Sequence, residues 1–261
     1  MRNLKLTLAY DGSGFHGWQI QPGRPTIQGT LAEVIAGLTG EQVLPQGSGR
    51  TDAGVHALAQ IATFQTASRI PVENFKVVLN DRLPPTIRVL AVQEMPEGFH
   101  ARHSAIGKSY QYRVYRADPV PPFLHRLVTH YPYPLNEEAM KQAATLVQGE
   151  HDFTSFAAVD PDRTQRMQAA DVDDAPKYVG NTRTIYSSHF ERRGDELVYE
   201  VSGNGFLHHM VRNLVGAFLL VGKGTLSPQD IPRILAERNR SVAGPTAPPE
   251  GLYLVSVQYP E

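Results

Sequence analysis

Cysteine is missing from all 261 residues, which excludes disulfides, thiolate zinc centres, iron–sulfur ligation and cysteine nucleophiles. Such a chain suits a reducing compartment without requiring one. Long apolar runs are missing as well. The longest, LVGAFLLVG (Leu214–Gly222), falls far short of the ~18 residues of a membrane span. The N-terminal MRNLKLTLAYDG alternates apolar and polar residues where a secretory signal needs a continuous apolar stretch, so it reads as mature structure. These absences predict a protein in solution, cytoplasmic, with no membrane partner. Neither sign of charge dominates: 25 Lys and Arg stand against 26 Asp and Glu, a formal net charge of −1 that argues against a generally basic polyanion binder.

What is there is an ordinary globular balance, 41% hydrophobic and 20% charged, in a chain long enough for two units or one large one. The charge is unevenly spread. Residues 61–130 hold nine basic and five acidic residues, a balance of +4, whereas residues 131–180 hold four and nine, a balance of −5. Within the basic region, HARHSAIGKSYQYRVYRADPVPPFLHR (His100–Arg126) interleaves Arg102, Lys108, Arg113, Arg116 and Arg126 with Tyr110, Tyr112 and Tyr115. Cations for phosphates and rings for bases are a nucleic-acid combination. A half-buried strand with a basic outer face gives the same pattern, and charge alone does not separate the two.

Hydrophobic periodicity orders the chain. Leu4–Tyr10 alternates as a strand, Thr26–Gly40 places Ile27, Leu31, Val34, Ile35 and Leu38 on one helical face, and Glu41–Leu44 is a possible short strand. His56–Thr66 is a strand, Pro71–Leu83 a helix with Pro at its first position, and Thr86–Met95 a strand. The order is βαββαβ. It repeats in Lys108–Arg116 (strand), Asn136–Gly149 (helix capped by Asn and closed by Gly), Thr182–Arg192 and Asp195–Gly203 (a hairpin turning at Arg193-Gly194), Phe206–Gly222 (helix) and Gly251–Tyr259 (strand). An extra helix, Ser227–Asn239, has Ser at its cap. These patterns predict an α+β fold of two tandem ferredoxin-like units, 1–105 and 106–261, with antiparallel sheets, helices on one side and an active-site cleft between the halves. A long acidic loop is expected over 157–181.

The string GSGRTDAGVHA (Gly47–Ala57) sets one carboxylate, Asp52, in a glycine-rich turn between Arg50 and His56. The ordinary reading of a lone Asp beside Gly is an Asx-type turn residue. The string lacks the Gly-Lys-Ser/Thr ending of a P-loop, is no dinucleotide fingerprint, and has no second carboxylate nearby for acid/base pairing. His208 and His209 are adjacent and would point apart on a helix, and His56, His100 and His103 are scattered, so no metal site is expected. A metal-free reaction resting on one carboxylate is what remains, because a lone Asp can act as a covalent nucleophile when an Arg holds it ionised.

Five segments then act together: GRTDAGVHA (Gly49–Ala57), FHARHSA (Phe99–Ala105) with KSYQYRVY (Lys108–Tyr115), DFTSF (Asp152–Phe156), GNGFLHHMVRNLVG (Gly203–Gly216) and EGLYLVSVQYP (Glu250–Pro260). With YDGSGFHGWQIQPGRPTIQGTL (Tyr10–Leu31) they resemble, in order and over nearly the whole chain, the TruA family of tRNA pseudouridine synthases. The resemblance implies isomerisation of uridine to pseudouridine at positions 38, 39 and 40 of the tRNA anticodon stem-loop, with no metal and no cofactor, by a homodimer. It implies Asp52 as nucleophile, Tyr110 packing on the target base, Arg212 pairing with the nucleophile and Arg50 helping to displace the base. A base inside a stacked arm must be flipped out to be reached. The stretch between DFTSF and TRTIY is longer and more acidic than the family pattern. A non-catalytic RNA-binding module is the alternative, and a metal-dependent hydrolase a more distant one.

Overall fold

A computed structural model of the chain describes residues 1–159 and 180–260. In chain order the elements are β1 (Arg2–Tyr10), α1 (Ile27–Thr39), β2 (Gln46–Gly47), β3 (His56–Thr66), α2 (Val72–Arg82), β4 (Ile87–Met95), β5 (Gly107–Tyr115) and β6 (Thr129–His130). There follow α3 (Glu137–Thr145), β7 (Gly149–Asp152), β8 (Thr182–Arg193), β9 (Glu196–Gly203), α4 (Met210–Gly222), α5 (Asp230–Glu237) and β10 (Leu252–Gln258). The fold is α+β with mostly antiparallel pairing, as the periodicities predict. The chain divides into two compact units, one of Met1–Tyr115, Pro119–His130 and Pro249–Glu261, the other of Arg116–Asp118 and Tyr131–Pro248.

In the first unit the strands lie in the order β4-β1-β3-β10-β5, with β2 added to β3 and β6 to β5. β1 runs antiparallel to both β3 and β4, β10 antiparallel to β5, and β10 meets β3 in a short parallel contact at Tyr253–His56 and Leu254–Ala57. Alternation explains the core: Leu4, Leu6, Leu8 and Tyr10 of β1 face one way. They meet Ile27, Leu31 and Ile35 of α1 and Phe75 and Leu79 of α2 in one buried cluster, so both helices cover the same face. α1 starts at Thr26, whose hydroxyl accepts the Gly29 N–H, and stops at Gly40 in the left-handed conformation. α2 starts one residue later than expected, with Pro71 as its cap.

In the second unit β9, β8 and β7 form antiparallel neighbours. Phe190, Tyr199 and Phe218 bring strand and helix together through tilted and edge-on ring contacts. α4 passes so close to the following segment that a Cβ on Gly216 would lie 1.9 Å from the Pro245 carbonyl oxygen, which only glycine allows.

Several boundaries differ from the sequence expectation. Glu41–Leu44 is not a strand; the short strand is Gln46–Gly47, pairing with Thr63 and Ala62. α3 ends at Thr145, and Gly149, at φ +95°, opens β7 instead of closing the helix. The β8–β9 pairing of Arg193 with Glu196 leaves Gly194-Asp195 as the loop, one residue beyond the expected turn, with Gly194 at φ +59°. Phe206–His209 precede α4, because His209 takes a left-handed φ of 59° that no helix interior accommodates. α5 begins at Asp230, whose carboxylate accepts the backbone N–H and the hydroxyl of Ser227. The acidic loop expected over 157–181 falls mostly on residues 160–179, outside those described.

Candidate active site

Asp52 sits in the connection between β2 and β3, and the backbone there is fixed from several sides. The Val55 N–H donates to the Asp52 carbonyl at 3.1 Å, and Gly54, at φ +80°, takes the third position of the turn. That is the type II arrangement, which needs glycine there. The turn of the GRTDAGV string is therefore closed by a main-chain carbonyl.

A second segment, Asp11–Trp18, runs beside this turn as a brace. Trp18 N–H donates to the Thr51 carbonyl at 3.0 Å and Gly54 N–H to the Phe15 carbonyl at 3.3 Å. Contact is so close that a Cβ on Gly12 would lie 2.0 Å from the Val55 carbonyl oxygen, and one on Gly17 2.5 Å from that of Thr51. The brace is anchored in turn to α1: Gly17 and Trp18 carbonyls accept the Ile27 and Gln28 N–H groups, two donors a helix start cannot satisfy internally. Helix, brace and turn thus share one set of backbone bonds.

Side chains complete the frame. The Ser48 N–H donates to the Ile61 carbonyl at 2.7 Å, and the Ser48 hydroxyl to Gln60 Oε1 at 2.6 Å. Gln60 Nε2 donates to the Gly49 carbonyl at 2.9 Å, and the Lys108 ammonium to the Ser48 carbonyl at 2.6 Å. The Tyr10 and Thr51 hydroxyls are bonded at 2.9 Å. Ser48, Gln60, Thr51 and Tyr10 are buried, so this network is exchanged little with water and holds Ser48–Thr51 on both sides of Arg50. Burial raises the Tyr10 phenol to about 12, and its bonds to Thr51 and Gln60 offset part of that rise. It stays protonated at neutral pH.

Tyr110 lies on β5 two residues beyond Lys108, hence on the same face. Its phenol is pushed well above the ordinary tyrosine value by burial first, then by Tyr10 and by the negative charge of Asp52. The structure therefore brings Tyr110, Tyr10 and Asp52 into one electrostatic neighbourhood, with Arg50, half-buried, in the stretch leading to Asp52. Arg212 lies in the second unit, on the first turn of α4, where its Nε donates to the Ala247 carbonyl at 2.8 Å. Its neighbour Asn213 is buried and bridges the Phe156 carbonyl, Arg240 and Thr246, which fixes that turn.

The histidines are less dispersed than their positions suggest. His208 and His209 rings lie 4.0 Å apart ahead of the helix, since neither belongs to it, and His100 and His103 rings lie 4.5 Å apart. His100 Nδ1 accepts the Arg102 and His103 N–H groups, a structural task. Sequence reasoning gave no role to Tyr10, Ser48 or Gln60, and placed Lys108 only among cations suited to phosphates, not on the Ser48 carbonyl. The period-two spacing of Lys108 and Tyr110 was the available signal for Lys108; the others become visible only through pairing of β1, β2 and β3.

The family model described as tRNA pseudouridine synthase matches residues 7–104 and 143–260. The chain is 47% identical to "tRNA pseudouridine synthase A" of Solibacter usitatus, across 99% of this chain and 100% of that protein. It is 42% identical to the protein of the same name from Caldicellulosiruptor bescii and 41% identical to that from Brevibacillus brevis, each again across 99% of this chain and 100% of the relative. With likeness of this degree over the whole length of both chains, the protein belongs to the tRNA pseudouridine synthase family.

Proposed function

We propose that the chain isomerises uridine to pseudouridine at positions 38, 39 and 40 of the tRNA anticodon stem-loop, with Asp52 as the nucleophile and the target base flipped out of its stack. The observation that carries this reading is the rigid presentation of Asp52 on a braced type II turn beside a protonated Tyr110. Family membership supports the reaction class. The reaction conserves atoms and electrons: the bond from ribose C1′ to uracil N1 breaks, the ring turns, C1′ joins C5, the C5 proton leaves and N1 gains one. The Asp52 carboxylate serves the step in which C1′ and N1 part, as a nucleophile toward the ribose or the pyrimidine or by promoting a glycal route.

Tyr110 packs on the flipped base as a neutral ring, because burial foremost, and then Tyr10 and the Asp52 charge, oppose its ionisation. Arg50 helps displace the base from its stack, which costs a few kcal/mol that phosphate and stacking contacts offset. Arg212 is the cation that the family resemblance assigns to Asp52. The halves 1–105 and 106–261 are proposed as the repeat that offers these groups, acting as a homodimer in the cytoplasm. The test is incubation with unmodified tRNA transcripts and mapping of pseudouridine. The expected result is modification at the anticodon arm by the native protein and none by Asp52→Ala; modification only outside that arm would overturn the specificity, and an active Asp52→Ala would overturn the nucleophile.

A further inference from the structure

His56 closes the GRTDAGVH string, and its ring is 1% exposed. Nδ1 faces the Gly12 N–H at 3.1 Å and Nε2 faces the Arg126 carbonyl at 3.1 Å. A nitrogen facing an N–H must accept and one facing a carbonyl must donate, so the ring is the neutral tautomer with its proton on Nε2. Nδ1 has a second neighbour. Asp11 Oδ1 lies 3.3 Å from it, and this oxygen also accepts the backbone N–H and hydroxyl of Ser13. The Gly12 N–H and the Asp11 carboxylate therefore compete for one atom: the first requires a bare Nδ1, the second a protonated one.

We propose that His56 is a positioning residue for the isomerisation, holding the brace against the Asp52 turn by accepting the Gly12 N–H and surrendering that hold when Nδ1 takes a proton and turns to Asp11. The proposal rests on the reading of Asp52 as nucleophile. Its mechanical basis is the contact between the two segments: Gly12 is packed on the Val55 carbonyl, and Gly17 on Thr51 and Asp52, so a shift at Gly12 travels directly into the turn. Tyr253 stacks on the imidazole at 4.6 Å and is itself anchored by donating to the Leu127 carbonyl, so one face of the ring lies against a fixed partner. Among the groups facing His56, burial is the largest influence and keeps the ring neutral. Asp11 and the carbonyls of Arg126 and Glu250 oppose it, whereas Arg113 reinforces it. Burial lifts the Asp11 carboxyl, but the Ser13 bonds, with smaller help from His56 and Arg126, bring it below the usual range, so it stays ionised while His56 titrates.

The sign follows. At neutral pH the ring is neutral and the brace is held; as pH falls below the usual histidine value the ring gains its proton and the turn loosens. Single-turnover pseudouridine formation on unmodified tRNA transcripts, measured from pH 5 to 8 with tRNA binding in parallel, is the experiment. Asp11→Asn keeps an oxygen for Ser13 but removes the charge that favours protonation. It should move the acid fall in rate toward lower pH by at least about half a unit, with binding unchanged. His56→Asn offers a non-titrating acceptor near Nδ1 and should lose that acid limb, whereas His56→Gln, lacking the acceptor, should be slowed about tenfold to a hundredfold at every pH. An acid limb unmoved in Asp11→Asn, or retained in His56→Asn, overturns the proposal. Loss of turnover in Asp52→Ala alongside such a result would leave the nucleophile reading standing, and turnover by Asp52→Ala would overturn that reading itself.

Discussion

At the scale of single residues, the site depends on glycines that have no freedom to be anything else. Gly17 combines φ +86° with a position in which a Cβ would stand 2.5 Å from the Thr51 carbonyl oxygen. Gly17→Ala must strain its own backbone and push the Asp52 turn aside. Urea unfolding should register a loss of at least about 2 kcal/mol, and pseudouridine formation should fall further than tRNA binding. A variant as stable as the native protein would contradict the close approach. Locally the string around Asp52 read as an ordinary turn, and elimination with the matched segments elsewhere in the chain is what singled that residue out. The string contained no sign of Lys108, whose ammonium fixes the Ser48 carbonyl from 60 positions away. Nor did it distinguish a turn bonded through the Asp52 side chain from one closed by its main-chain carbonyl, since either suits an Asp two residues before Gly.

At the scale of elements, local chemistry was legible, and so was the β8–β9 hairpin, whereas pairings between elements distant in sequence were not. Thr26, Gly40, Asn136 and the alternating β1, β3 and β4 carry their own signals: a cap side chain, a left-handed stop, a period of two. Thr26→Ala should cost about 1 kcal/mol in thermal or urea unfolding through the lost Gly29 bond. An unchanged stability would show that the Gly17 and Trp18 carbonyls suffice to hold the start of α1. Errors gathered where a residue had two plausible uses. Gly149 fits a helix stop as well as a strand start, and His209 looks helical by hydrophobic spacing until its positive φ is seen. The parallel contact of β10 with β3 joins the last strand to one in the first quarter of the chain, and no local pattern encodes it.

At the scale of the whole molecule, balanced total charge hides a basic stretch, and the sequence made that visible by simple counting. A compact division of the chain follows spatial contact, so β10 joins the first unit although it comes last. The repeat read from element order is a different kind of partition and does not depend on where those contacts fall. No helix among the described residues is long and apolar enough to cross a membrane. If two copies cooperate on one tRNA, sedimentation of active protein should give a dimer, and tRNA affinity should fall steeply with added salt as phosphate contacts release counterions. A fully active monomer would contradict the dimer.

The central claim is that one carboxylate on a braced turn performs the chemistry while other surfaces hold the RNA. Asp52→Asn changes that carboxylate to an amide of nearly the same shape, and the decisive measurement pairs its affinity for an unmodified tRNA transcript with mapping of pseudouridine in the same transcript. The account predicts binding close to that of the native protein and no pseudouridine in the anticodon arm. Pseudouridine formed by Asp52→Asn at the native rate would contradict it.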